Sequence, residues 1–215
     1  MNRHSESESG PQTLRDRIRE TTEQAILTAA EEVFADAGLH AARMDEIAAR
    51  AGVSVGTLYN HFEDRDALLA GVLEDRRSQL IGAIDAAIAA GAGQPFRDRL
   101  RGLLLALLTH CEQHRKFLHI VLQREVGRTP QAFRPRAKST DTMRELHGRI
   151  DKVMKQGLRE KALRAETADL CAVFLLGMVR ALVIRAVVLG GPQGLVSEGE
   201  RVLDAFLHGV GETGA

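Results

Sequence analysis

Apolar residues recur at helical spacing almost from one end of this chain to the other. Over residues 20–37, Ile26, Ala29, Ala30, Val33 and Phe34 fall at i, i+3, i+4, i+7 and i+8, the stripe of one helix face. Gly38 follows as the residue that can close it in a left-handed conformation. A second, short helix is predicted over 44–51, with Met44, Ile47, Ala48 and Ala51 on its inner side and Gly52 as its breaker. Ser54 reads as the N-cap of a third, over about 55–62, which turns Leu58 and Phe62 inward. Asp64 is placed to cap a fourth, with Asp66 favourable in its first turn. Over 68–90, Leu69, Val72, Leu73, Leu80, Ile81, Ile84 and Ile88 share a face.

Further helices are predicted over 96–114 (Leu100, Leu103, Leu104 and Leu107 inside), 116–126, 138–159, 166–189 and 195–210. They are separated by the Gly91–Pro95 break, a 127–135 loop with two prolines, and a Gly190-Gly191-Pro192 stop. No strand-like alternation interrupts the series. The expectation is an all-α protein of about nine helices, three short ones in front and mostly longer ones behind. Residues 1–13 read as a disordered tail, 14–65 as a small helical head and 66–211 as a larger helical body.

Composition narrows this picture. The chain has 215 residues, 44% of them apolar and only 4% aromatic, a balance that favours helix and supplies a sizeable core. The two cysteines, Cys111 and Cys171, stand far apart, which argues against a disulfide framework or a Cys-based zinc site and for a reducing, cytoplasmic setting. The first twelve residues are polar and lack the apolar core of a signal peptide. The stretch 172–189 is apolar enough to suggest a membrane span, but Arg180 and Arg185 lie within it, so a buried soluble helix is expected and no membrane partner.

Net charge is zero, with 29 basic and 29 acidic residues. Residues 1–65 carry seven Lys/Arg against twelve Asp/Glu, a net of −5. A polycation that coats DNA is thereby excluded; a small, shaped basic surface is not. Arg15, Arg17 and Arg19 read either as a solvated charge run or as an arm reaching the minor groove.

The chemistry concentrates in 44–62. Two helices this short need each other and the first helix to be stable. Ala48 is small where helices must approach, Gly52 can take the positive φ of a turn, and Val53 can plug the corner. With Met44, Ile47, Ala48, Val53, Leu58 and Phe62 inward, Val55, Gly56, Thr57, Tyr59, Asn60 and His61 are left on the outer part of the third helix. Hydroxyls, an amide and an imidazole around a helix N-terminus suit a major groove.

The run Gly52-Val-Ser-Val-Gly-Thr-Leu-Tyr-Asn-His-Phe62, followed by Glu-Asp-Arg-Asp-Ala-Leu-Leu69, resembles the DNA-binding signature of the tetracycline-repressor (TetR) family. The preceding Ala-Ala-Glu-Glu-Val-Phe-Ala-Asp-Ala-Gly38 is similar to that family's first helix. The resemblance implies contacts to bases or phosphates from Val55, Gly56, Thr57, Tyr59, Asn60 and His61, with Thr57 and Tyr59 mostly on phosphate. It implies a phosphate contact from Arg65 as well. Gly56 has no side chain with which to hydrogen-bond a base. Arg43 departs from the pattern, standing where many members carry Ser or Thr; a capping hydroxyl is exchanged there for a possible phosphate contact.

For the body, the resemblance implies a small-molecule pocket among the middle helices and a homodimer through the last two. The residues agree in part: the segment 170–189 is apolar nearly all round and must be covered on several sides. The expected dimer interface is Arg180, Val183, Val187, Val202, Phe206 and Val210, paired with a two-fold mate as a four-helix contact. Pocket candidates are the polar or soft residues on inward stripes: His110, Cys111, His114, Phe117, His119, Gln123, Met143, His147, Met154, Phe174 and Met178. His110 and His114 are four apart and could share a metal face, but no third ligand is marked by spacing, so no metal and no cofactor is assigned. Nothing near Cys111 in the sequence lowers its pKa as a redox sensor needs.

The function this predicts is a repressor that leaves a palindromic operator when an effector binds. The alternative is an effector-independent DNA-organising or partner-binding protein of the same fold. An enzyme finds no support, because no nucleophile elbow, phosphate-binding loop or dinucleotide fingerprint is present.

Overall fold

The computed structural model describes residues 13–126, 137–189 and 194–210. The 1–12 tail, the 127–135 loop and the Gly190-Gly191-Pro192 stop lie outside the described residues, as do the side chains of Gln123 and Val210. Nine α-helices appear among the described residues: α1 Leu14–Ala37, α2 Met44–Ala51, α3 Val55–His61, α4 Arg65–Ala90, α5 Phe96–Gln113, α6 Arg115–Val126, α7 Ala137–Arg159, α8 Cys171–Val187 and α9 Gly199–Val210. The fold is all-α. The chain divides into two compact units at Leu73/Glu74.

This division falls eight residues beyond the expected one, for a packing reason. The first two turns of α4 belong to the head: Leu68, Leu69 and Val72 are buried there. Gly71 lies so close to Phe62 and Leu27 that a Cβ would come within 2.7 Å of the Phe62 ring. The other side of the head core is Ile26, Leu27, Ala30, Val33 and Phe34 on α1, with Ile47 and Ala48 on α2 and Leu58 on α3.

Helix α1 starts at Leu14, six residues before the expected start at residue 20. Thr13 and Asp16 form a capping box there: Thr13 Oγ1 accepts from the Asp16 N–H at 3.2 Å, and Asp16 Oδ2 accepts from the Thr13 N–H at 3.2 Å. Arg15, Arg17 and Arg19 are therefore helical and exposed.

In the body, one aliphatic core joins α4, α5, α7, α8 and α9 around Ile84, Leu100, Leu103, Leu104, Leu108, Ile150, Leu175 and Leu203. Ion pairs lash the helices at the rim. Arg77 and Arg149 bridge α4 and α7 through Glu145 and Asp85. Arg97 and Arg101 reach Asp204 and Glu200 on α9, and Arg99 reaches Glu160. The last two helices are shorter than the ranges predicted for them, each preceded by a single 3₁₀ turn, at Ala165–Thr167 and Val196–Glu198. The orphan carbonyls at the end of α8 are met by α6: Arg115 donates to Ala186 O, and His119 Nδ1 lies 2.6 Å from Val187 O. No helix among the described residues is long and apolar enough to cross a membrane.

Candidate nucleic-acid interface

The corner between α2 and α3 is set by backbone chemistry. Gly52 sits in the left-handed region (φ 70°, ψ 28°). Its N–H donates to Ala49 O at 3.2 Å, and the Val53 N–H donates to Ala48 O at 3.0 Å, the paired bonds of a Schellman end. Two residues on, Ser54 caps α3: its Oγ accepts from the Thr57 N–H at 3.0 Å and lies 2.8 Å from Thr57 Oγ1. Asp64 repeats the device for α4, its Oδ1 accepting from the Ala67 N–H at 2.7 Å. Within about a dozen residues the chain thus ends one helix, turns, starts a second and starts a third.

Helix α3 is left with two faces. Leu58 is fully buried and Phe62 nearly so, while Val55, Gly56, Tyr59 and Asn60 are exposed, Tyr59 by half. Thr57 is half-buried, its hydroxyl engaged with Ser54. A Cβ on Gly56 would meet only Ser54 Oγ, at 3.8 Å, so the head's own packing does not require glycine there. Met44 and Val53 are half-buried rather than sealed in the core.

His61 requires a correction. It was placed on the outer face, but its side chain is only 10% exposed and its Nδ1 lies 3.6 Å from Glu23 Oε2 of α1. Seven residues of helix turn the position after Asn60 back toward α1, and the polarity of imidazole gave no sign of it. The partner, Glu23, was not singled out in the sequence; its only signal is a carboxylate at the edge of the α1 stripe.

Three of the head's cations, Arg43, Arg50 and Arg65, already have intramolecular partners. Arg43, which stands as N-cap of α2 without a side-chain cap bond, grips Asp45 through Nε (3.0 Å) and Nη2 (2.7 Å). That hydrogen bond holds the Asp45 carboxyl below its ordinary value. Arg50 pairs with Asp36 at 2.9 Å. Arg65 donates from Nη1 to His40 O at 2.6 Å, bracing the loop between α1 and α2. Beside this corner a groove of about 500 Å³ runs along Leu14, Arg17, Ile18, Thr21, Thr22, Ala25, Ala51 and Val53.

The body's described candidate residues fall in different surroundings. Phe117 and Met154 are buried in the core, and Met178 packs against it. The His110 and His114 rings are neighbours, centroids 4.7 Å apart and tilted by 51°, and no group of three or more metal-ligating side chains forms among the described residues. His119 serves the end of α8, and His147 is half-buried on α7. Burial pushes the Cys111 thiol up to about 11, the opposite of what a redox sensor requires. Met143 and Phe174 correct the expectation outright: they are 42% and 44% exposed.

The expected dimer residues also need correction. Val183, Val187 and Phe206 are buried within this chain's own core, so they offer no surface to a partner. Val202 is half-buried, and Arg180 is exposed. Because α8 is apolar all round, periodicity could not tell its inner side from its outer one. The outer side carries Val173, Phe174, Gly177 and Ala181, with Arg180 and Arg185 beside them.

A three-helix head with a capped, two-faced recognition helix, joined to a helical body, defines the class of helix-turn-helix transcriptional regulators. The family model for bacterial regulatory proteins of the tetR family matches residues 26–72. The chain belongs to the TetR family. It is 31% identical over 153 residues to the HTH-type transcriptional activator FasR of Mycolicibacterium smegmatis, covering 71% of this chain and 66% of that protein. The chain spans between 47% and 66% of the length of the first curated relatives it matches. Among solved structures it is similar to the fatty acid degradation regulator FadR of Bacillus halodurans (TM-score 0.74, 21% identity, 87% of this chain and 95% of that one). It is also similar to the ketosteroid regulator KstR2 of Mycobacterium tuberculosis (TM-score 0.66, 25% identity, 89% and 95%).

Proposed function

We propose that this chain is a sequence-specific repressor that binds a palindromic operator as a homodimer and releases it when a small molecule binds the body. The observation that carries the reading is the division of α3: Leu58 and Phe62 anchor it, while Val55, Gly56, Tyr59 and Asn60 stand outside with no packing duty. Tyr59 and Thr57 hold phosphates, Asn60 reads a base edge, and Val55 and Gly56 set how closely the helix enters the groove. Arg43 and Arg65 reach phosphate by exchanging their present partners. The exchange keeps the number of new ionic contacts small, so the salt dependence is shallow for a DNA-binding protein.

The second copy is proposed to seat on the outer side of α8, at Val173, Phe174, Gly177 and Ala181. Phe174→Arg is expected to raise the dimer dissociation constant at least about tenfold. An unchanged sedimentation profile of that variant would place the interface elsewhere.

Selection of bound duplexes from random DNA tests the main reading. Paired half-sites about one helical turn apart are expected; no enrichment, or a single unpaired site, refutes it. Titrating metabolites against the selected duplex tests release, which requires that ligand and DNA weaken each other by the same factor. Because one relative is named an activator, the sign of regulation is read from a reporter behind the selected site. One observation favours the second reading, an organising protein without effector: the body residues nominated for a pocket are partly in the core and partly in solvent. DNA binding that no metabolite alters would establish that reading.

A further inference from the structure

We infer, on the DNA-binding reading above, that Asp45 is a built-in stand-in for a DNA phosphate. It holds the Arg43 guanidinium until a duplex displaces it, and so sets how tightly the head grips any DNA. Arg43 Nε donates to Asp45 Oδ1 at 3.0 Å and Nη2 donates to Oδ2 at 2.7 Å. Two parallel N–H···O bonds to a pair of anionic oxygens are also how a guanidinium meets a phosphate. The two anions therefore compete for the same donors.

The pair has little to do for the fold. Its members are two residues apart, on the N-cap and in the first turn of one helix, and their side chains are 75% and 54% exposed. It ties no second element, and an exposed pair of this kind adds little stability. Arg50, on the same helix, is placed differently. It reaches across to Asp36 and Glu32 of α1, at 2.9 and 3.9 Å, with Glu46 of its own helix 3.6 Å away. Arg65 braces the loop before α2 through His40 O. Of these three arginines, Arg43 is the one whose bond can be given up without loosening the head.

Asp45 is prepared for the exchange. Its Oδ1 also accepts from the Glu46 N–H at 3.0 Å, and the first turn of a helix favours a carboxylate. When Arg43 leaves, Asp45 keeps a hydrogen bond and a favourable field. Arg43 also stands where phosphates pass: the first helix of a helix-turn-helix pair crosses the DNA backbone, and Arg43 opens that helix, α2. Displacement costs the same on every sequence, so Asp45 lowers affinity without altering base preference. A head with a net charge of −5 over residues 1–65 can thus carry phosphate-binding chemistry and keep it restrained. A moderate grip is also one that an effector can undo, since coupling between sites is typically about 5- to 150-fold.

The test uses the full chain, a duplex that the wild-type protein selects from random DNA, and a scrambled duplex of the same composition. Binding is followed by fluorescence anisotropy over a range of salt, with thermal melting to check that each variant is folded. Asp45→Asn keeps the side chain's size and an oxygen for the Glu46 N–H. It is expected to tighten binding to both duplexes about three- to tenfold, and to steepen the salt dependence by about one phosphate contact per head. In an Arg43→Ala background the same substitution is expected to change binding less than about twofold. Removal of a negative charge that merely repels DNA would give equal gains in both backgrounds. That result, or no gain with Arg43 present, overturns the inference. NMR of the Arg43 Nε–H group in the DNA-free protein gives a second readout: its resonance is expected to shift on Asp45→Asn, and an unmoved resonance also overturns the inference. Failure of every variant to bind either duplex counts instead against the DNA-binding reading itself.

Discussion

The head and the body use the same materials, alanine- and leucine-rich helices rimmed with arginine–carboxylate pairs, to different ends. In the head, three local devices within about a dozen residues (the Gly52 helix end, the Ser54 cap and the Asp64 cap) fix where each side chain of α3 points. In the body, long helices are held by one broad aliphatic core, and residues that looked distinctive in the sequence are mostly absorbed into it. Local backbone chemistry therefore lets function be read in the head. Collective packing hides it in the body.

The comparison is broken most forcefully by equal truncations in the two cores. Leu58 and Leu103 are both fully buried. Leu58→Ala and Leu103→Ala should each cost about 2–5 kcal/mol of stability in denaturant unfolding. Only Leu58→Ala should also abolish DNA binding under conditions where the protein is still folded, because it unseats α3 directly. Equal loss of DNA binding in both variants would mean that the head does not hold the recognition helix by its own packing.

Next in size is Gly71→Ala. The added methyl collides with the Phe62 ring and Leu27, and neither can leave a filled core cheaply. A loss of about 1–3 kcal/mol is expected by thermal melting. A neutral outcome would show that α4 and Phe62 are less closely packed than described.

Changes on α3 and at the start of α4 sharpen the contrast through DNA binding. Tyr59→Ala and Arg65→Ala should weaken binding to all duplexes, whereas Asn60→Ala should relax preference at one position by about 1–3 kcal/mol. Competition binding with single-base variants of the selected site distinguishes the two patterns, and an Asn60→Ala profile identical to wild type would remove Asn60 from base reading.

The smallest effect concerns Cys111. With its thiol pushed up to about 11, it should resist alkylation at neutral pH and label only when the protein unfolds or the solution becomes strongly alkaline. The folded protein holds that proton more tightly than the unfolded chain does. Its contribution to stability is therefore present below the ordinary thiol range and is lost as pH rises toward 11. Rapid labelling of the folded protein at neutral pH would contradict the burial of Cys111.

How much was legible follows the same division. Spacing located all nine helices, and the α2–α3 corner was visible because Gly52, Ser54 and Asp64 announce themselves by type. The start of α1 at Leu14 was hidden, since Thr13 and Asp16 cap a stretch with no apolar stripe. His61 was misjudged because polarity suggests exposure, and only the partner across the fold, Glu23, turns it inward. The faces of α8 cannot be told apart by pattern, so Val183 and Val187 read outward although they lie in the core, as does Phe206 of α9. A pattern within one helix reports that helix well; what covers it depends on residues a hundred positions away.

The freedom of Val55, Gly56, Tyr59 and Asn60 from any packing role carries an evolutionary consequence. Under the function proposed above, a gene duplicate could exchange all four and acquire a new address on the chromosome while its fold stayed intact. Regulators built this way can diverge in target faster than in architecture. For the engineer, those four codons are the natural place to randomise when redirecting such a protein, with Leu58 and Phe62 left untouched.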